Sequence, residues 1–305
     1  MNVKRNLHEL VGRTPLYEIT AYDLPDGVRL FAKLEFLNIG GSIKDRLGFF
    51  LIEKAMEEGM IQKGATIIEP TAGNTGIGLA LAAIAYDLQA MFVTPEKFSM
   101  EKQTLMRSLG AKVVNTPTEL GMDYAIKKAE ELKAEIPGAY IPNQFANEHN
   151  PKTYYETLGP EIFRDLDGQV DVFVAGAGSG GTFTGTARFL KDKNPDTRTV
   201  IVEPEGSILN GGEPGPHKTE GIGMEFLPSF MDTELFDDIY TISDERAFKR
   251  LREIAKAEGL LVGSSSGAAL DAALQEAEKA KPGTNIVTIF PDSSERYLST
   301  GIYEE

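Results

Sequence analysis

Short apolar runs alternate with longer amphipathic stretches along most of this chain, a rhythm that predicts strands handing over to helices. Residues 28–36 alternate as a strand, and the helical spacing that starts at Ile43 continues toward Gly59. Strand–helix pairs follow at 65–69 and 74–86, at 90–94 and 99–109, and at 112–115 and 120–135. A stretch rich in proline and asparagine, 137–151, breaks the rhythm and is the candidate crossing between two lobes. Beyond it, 170–175, 199–203 and 285–290 read as strands, and 182–193, 244–258 and 266–281 as helices. Such alternation implies right-handed crossovers, so the expected class is α/β, with two open, mostly parallel sheet lobes flanked by helices. The interval 204–230 fits neither pattern; irregular loops of that length in compact domains are usually functional or mobile.

Composition narrows the partners. At 305 residues, 41% hydrophobic and 25% charged, the chain can bury two medium cores. A formal charge of −15 without a basic block disfavours nucleic acid and anionic membrane as partners. No apolar run approaches the roughly 20 residues of a membrane span, and the opening MNVKRNLHEL has no signal-peptide core, so the expected location is cytoplasmic. Cysteine is absent, which removes disulfides, thiolate metal sites and cysteine nucleophiles. His8, His149 and His217 lack metal-ligand spacing, and no metal site is expected.

Four glycine-rich turns stand where strands give way to helices, the edge at which open α/β sheets bind ligands. GGSIKDR (40–46) puts Lys44 at a helix start behind a capping serine, where an amine could hold a carbonyl compound covalently or simply be solvated. Thr71-Ala72-Gly73-Asn74-Thr75-Gly76 offers backbone N–H groups and polar side chains suited to a carboxylate, or else an ordinary cap from Asn74 or Thr75. Gly176-Ala177-Gly178-Ser179-Gly180-Gly181-Thr182 is an anion cup, with phosphate the expected guest. It also approaches the dinucleotide fingerprint, for which Glu203 or Glu205 would be the ribose acid, so a NAD-linked oxidoreductase stands as an alternative. The fourth, Gly263-Ser264-Ser265-Ser266-Gly267, exceeds what capping needs. Lysine, carboxylate turn, phosphate cup and serine turn together describe a pyridoxal phosphate enzyme acting on an amino acid.

KLEFLNIGGSIKDR, EPTAGNTGIGLALA, GAGSGGTFTGTARFLK and GSSSGAAL resemble, in order and spacing over essentially the whole chain, the fold-type II pyridoxal phosphate family of cysteine synthases and cystathionine β-synthases, with its tryptophan synthase β-like fold. The resemblance implies a smaller lobe of residues 41–147, mobile and carrying the carboxylate turn. Residues 1–40 with 148–305 would form a larger lobe carrying the phosphate and pyridine sites. It also implies a homodimer. By it, Lys44 forms the internal aldimine and shuttles the α-proton. Gly178, Ser179, Gly180, Gly181 and Thr182 hold the cofactor phosphate, Asn74 the ring 3′-oxygen, and Ser265 the pyridine nitrogen. Thr71, Ala72, Gly73, Asn74 and Thr75, with Gln144, embrace the substrate carboxylate. The implied reaction is β-replacement, with a thiol or sulfide displacing the leaving group of an activated serine.

Two departures bear on the nucleophile. Ala72 stands where the common TSGNT pattern has serine. The stretch Thr219-Glu220-Gly221-Ile222-Gly223 is similar to the loop of cystathionine β-synthases, whereas typical cysteine synthases carry glutamine at the Glu220 position. A carboxylate at Glu220, beside Gly221, could receive the ammonium of homocysteine, which sulfide lacks, or could merely be solvated. With VEPEGSILNGG and IFPDSSERYL, the chain is most similar to compact bacterial members that join O-acetylserine to homocysteine. Serine is the alternative donor and sulfide the alternative nucleophile.

Overall fold

The computed structural model describes residues 3–304. In chain order its elements are β1 (Leu16–Ile19), β2 (Arg29–Leu34), α1 (Lys44–Glu57), β3 (Thr66–Pro70), α2 (Asn74–Tyr86), β4 (Gln89–Pro95), α3 (Met100–Ser108), β5 (Lys112–Thr116) and α4 (Gly121–Glu135). They continue with α5 (His149–Glu156), α6 (Leu158–Asp165), β6 (Val172–Gly176), α7 (Gly181–Lys193), β7 (Arg198–Pro204), β8 (Asp238–Ile242), α8 (Asp244–Glu258), α9 (Ser264–Lys279) and β9 (Asn285–Phe290). The chain divides into two compact units, Met1–Gly12 with Asn38–His149, and Arg13–Leu37 with Asn150–Glu305.

The first unit is built on a parallel sheet in the order β3-β4-β5. Successive residues of a strand face opposite ways, so Ile67 and Phe92 join the core with Phe49, Ile52 and Leu79, while Ile68, Met91 and Val93 pack with Ala125 and Ala129 of α4. Helices α1 and α2 meet at glycines. A Cβ on Gly48 would strike the Gly78 carbonyl, and one on Gly78 would lie 2.8 Å from the carbonyl carbon of Lys44. The interval 137–151 runs beside β3 for part of its length: Ile68 N–H donates to the Tyr140 carbonyl at 2.8 Å, and Tyr140 N–H to that of Thr66 at 2.9 Å.

The unit boundaries depart from the sequence expectation that residues 1–40 and 148–305 group together. The leader up to Gly12 belongs to the first unit, because His8 stacks on Phe49 with ring centroids 5.2 Å apart and pairs with Glu53 at 2.7 Å. Residues 38–40 do as well, where Asp45 accepts the Gly40 N–H at 2.6 Å, and so does His149, which pairs with Glu58 at 2.8 Å.

The second unit carries a six-stranded sheet in the order β1-β2-β9-β6-β7-β8, parallel except for the β1 edge. β9 lies between β2 and β6, and all six of its residues are buried, as a central parallel strand requires. Lys33, fully buried within β2, is neutralised by Asp165 at 2.9 Å and Glu161 at 3.2 Å and donates to the Thr14 carbonyl at 2.7 Å. From β6 the chain proceeds outward to β7 and β8, then returns to lay β9 on the other side of β6. That reversal makes the C-terminal end of β6 a switch point, where such sheets open a crevice. Among the described residues no helix is long and apolar enough to cross a membrane.

Candidate active site

In the first unit, Ser42 Oγ accepts the Lys44 N–H at 3.2 Å, but the cap position of α1 is Ile43, which supplies no side-chain acceptor, so Ser42 is not the cap that the sequence leads one to expect. Helix α2 likewise starts, at Gly73, with no side-chain cap, so neither Asn74 nor Thr75 plays the ordinary capping role. Thr71 Oγ1 accepts the Gly73 N–H at 3.1 Å, and a Cβ on Gly73 would meet nothing within 4 Å, so the turn borders open space. Gln144 arrives from the stretch running beside β3. Its Oε1 accepts a 2.8 Å hydrogen bond from the Thr75 hydroxyl and a longer one, 3.5 Å, from Lys44 Nζ. Lys44, the 71–75 turn and Gln144 are therefore brought together, with Ala72 partly exposed in the turn.

Beneath them is a carboxylate the sequence reading did not single out. Glu69, 1% exposed at the end of β3, accepts the N–H groups of Asn143 at 2.9 Å and Gln144 at 3.2 Å. Burial pushes its carboxyl up to about 7, against the pull of those two N–H groups and of the Lys44 charge. Burial likewise lowers the Lys44 ammonium to about 8, with the Glu69 charge opposing. The neutral amine is the nucleophile, so lowering its pKa makes it reactive at a lower pH. In the cofactor-free protein, Lys44 should react with an amine-selective reagent at pH 8 roughly a hundredfold faster than the surface lysines, because about half of it is neutral there. Peptide mapping across a pH series checks this, with the midpoint near 8 for Lys44 alone.

In the second unit, three segments converge at the end of β6. The cup 176–182 packs against the 219–223 loop: Gly223 N–H donates to the Ala177 carbonyl at 2.9 Å, and a Cβ on Gly178 would collide with the Gly221 carbonyl. Gly180 caps α7 with φ +82°, in the left-handed region, and no side chain caps that helix. Its first-turn N–H groups stay available to an anion beside Ser179 and Thr182. Ser179 is held by Asn150, whose Nδ2 donates to its Oγ at 3.1 Å, and a Cβ on Gly181 would strike the other amide atom of Asn150. The serine turn closes the group. Ser264 Oγ accepts the Glu220 N–H at 2.9 Å, and Ser265 Oγ lies 3.7 Å from where a Gly221 Cβ would be. Helix α9 also begins at a glycine, Gly263, without a side-chain cap, whereas α8 is capped by Ser243. Gly178 through Thr182, Glu220, Gly221 and Ser265 thus form one cluster.

Of the two acids the dinucleotide reading could use, Glu203 is already engaged. Glu203, buried at the end of β7, spends both oxygens on the N–H groups of Leu209 at 2.8 Å and Asn210 at 3.0 Å and on the Thr241 hydroxyl at 2.9 Å. It ties down the 204–230 interval instead.

Residues 7–292 match the family described as pyridoxal-phosphate dependent enzymes. Over 304 residues the chain is 60% identical to the O-acetylserine dependent cystathionine β-synthase of Bacillus subtilis, covering 100% of this chain and 99% of that one. It is 55% identical to a cysteine synthase of Helicobacter pylori, covering 99% and 100% respectively. The crystal structure of an O-acetylserine dependent cystathionine β-synthase from Helicobacter pylori matches with a TM-score of 0.94 at 55% identity, over 99% of this chain and 100% of that one.

Proposed function

The chain belongs to the family of pyridoxal-phosphate dependent enzymes, of the cystathionine β-synthase and cysteine synthase type, and from that premise we propose that it joins O-acetylserine to homocysteine. In this reaction the donor's Cβ–O bond breaks and acetate departs with the electron pair. A Cβ–S bond forms, the thiol gives up its proton, and cystathionine is released. The same reaction class with sulfide, yielding cysteine, is the second reading, favoured by the cysteine synthase among the relatives.

Bound pyridoxal phosphate supplies the electron sink that makes the substrate α-proton removable. The donor set fits it. The uncapped α7 terminus with Gly178, Ser179, Gly180, Gly181 and Thr182 suits a phosphate dianion. Ser265, 3% exposed, makes no side-chain hydrogen bond among the described residues and can donate to an unprotonated ring nitrogen, where a carboxylate would force protonation. Asn74 is assigned to the ring 3′-oxygen. Lys44 anchors the cofactor, and its Nζ, already lowered toward neutrality, takes the α-proton and returns it. Thr71, Ala72, Gly73, Asn74, Thr75 and Gln144 are assigned to the substrate carboxylate. The homodimer and the cytoplasmic location are part of the same proposal.

The observation that carries the choice of homocysteine is Glu220, a carboxylate whose backbone is tied to the serine turn through Ser264 and which stands next to Gly221 in the cluster. An ammonium-bearing nucleophile gains a charge-assisted contact there of about 1.5–3 kcal/mol, and sulfide gains none. Glu220→Gln is therefore expected to lower kcat/KM for homocysteine about tenfold to a hundredfold while sparing sulfide. The check is product analysis with O-acetylserine offered both nucleophiles in competition; equal losses would remove the role given to Glu220.

A further inference from the structure

The geometry points to Glu69 as a positioning residue: its two carboxylate oxygens clamp the Asn143–Gln144 backbone so that the Gln144 side chain is presented to Lys44 and Thr75. The contacts form one chain. Glu69 accepts the N–H groups of Asn143 at 2.9 Å and Gln144 at 3.2 Å, and Gln144 Oε1 accepts from Thr75 at 2.8 Å and from Lys44 at 3.5 Å. Asn143 has φ +51°, in the left-handed region, which asparagine tolerates better than other non-glycine residues, and the clamp fixes it there.

Two further observations place the cause at Glu69. The pairing of residue 140 with β3 is an isolated bridge, and beyond it the carboxylate ties residues 143 and 144 to that strand. The same device occurs in the second unit. There, too, a strand ends in Glu-Pro, and buried Glu203 receives two N–H groups from a later loop, those of Leu209 and Asn210. Glu203 shows what a buried Glu-Pro strand end does in this protein, which is to set the path of a distant loop. At Glu69 the loop so fixed carries a side chain assigned to the substrate carboxylate. This last step rests on the proposed function.

The test has two arms. Hydrogen exchange of the full chain without cofactor, comparing wild type with Glu69→Gln, should show the Asn143 and Gln144 amides exchanging at least about tenfold faster in the variant, with β4 unchanged, because the glutamine puts a donor against one of two donors. Unchanged exchange at 143 and 144 overturns the clamp. The second arm is a double-mutant cycle on the cofactor-loaded enzyme. Glu69→Gln should raise KM for O-acetylserine about tenfold, and should add nothing to that rise in KM once Gln144→Ala is present. Additive losses would mean that Glu69 acts on something other than Gln144. If Glu69→Gln does not fold, Glu69→Asp, which keeps the charge and shortens the reach, carries both arms. The exchange arm needs no substrate. A wild type that turns over neither nucleophile would sink the functional reading while leaving the clamp to be judged on its amides.

Discussion

Lys44→Ala is expected to abolish β-replacement, with acetate release from O-acetylserine falling by about four orders of magnitude or more, since the covalent anchor and the proton-transfer group are lost together. The visible absorbance that bound pyridoxal phosphate gives in the wild type should vanish as well. The fold should survive. Burial works against the Lys44 charge, and once the amine is gone Glu69, already pushed up to about 7, can take a proton instead of standing unpaired, so below pH 7 the melting temperature should stay within a few degrees. A variant with normal activity would overturn the assignment of Lys44 and with it the reading of the first glycine turn.

Gly78→Ala is the largest expected effect on stability, although it adds only a methyl group. That methyl would meet backbone, the carbonyl carbon of Lys44 at 2.8 Å and the Asp45 Cα at 3.2 Å, and backbone cannot swing aside as a side-chain end can. Helices α1 and α2 must separate, at a cost of about 3 kcal/mol by the upper range for overpacked cores. Gly73→Ala is the control. It stands in open space with an extended backbone, so its loss of stability should stay within about 1 kcal/mol. Thermal unfolding of the two variants gives the comparison; similar losses would contradict the glycine contact as the constraint that joins the helices. Because that contact is made by the carbonyl of Lys44 itself, Gly78→Ala should also displace the amine and return its reactivity toward that of an ordinary lysine.

Elements with an unbroken period were legible in the sequence. The apolar helix at 74–86 and the buried strand at 285–290 match the observed α2 and β9. Two of the four glycine turns, 71–76 and 176–182, directly follow strands, β3 and β6; the first lies beyond a 3-10 turn at Glu35–Leu37, and the serine turn follows α8 with only an isolated bridge at Val262 between them. Elements whose pattern is interrupted were missed. Pro151 closes the interval that breaks the rhythm and the stretch 152–169 carries no assigned element, yet Pro151 and Pro160 fall in the first turns of α5 and α6, where the missing N–H has no helical partner to lose. β8 is an edge strand with four of its five residues only partly buried or exposed, so it lacks an apolar run. Glu69 escaped because one acid at the end of a strand looks like a boundary residue. What marks it is the pair of N–H groups arriving from residues 143 and 144, a relation between distant segments that no local window contains. The leader escaped for the same reason, since its attachment runs through His8 to Phe49 and Glu53.

The closure of Gln144 onto Lys44 joins residues 100 positions apart. Contacts of that span form late, because the intervening chain must be ordered before they repay the entropy of closing the loop. During refolding the lysine is expected to react like any other until the stretch beside β3 has docked. The rate at which Lys44 acquires its reactivity is thus a built-in clock for the completion of the first unit, readable by pulsed amine labelling with no engineered probe.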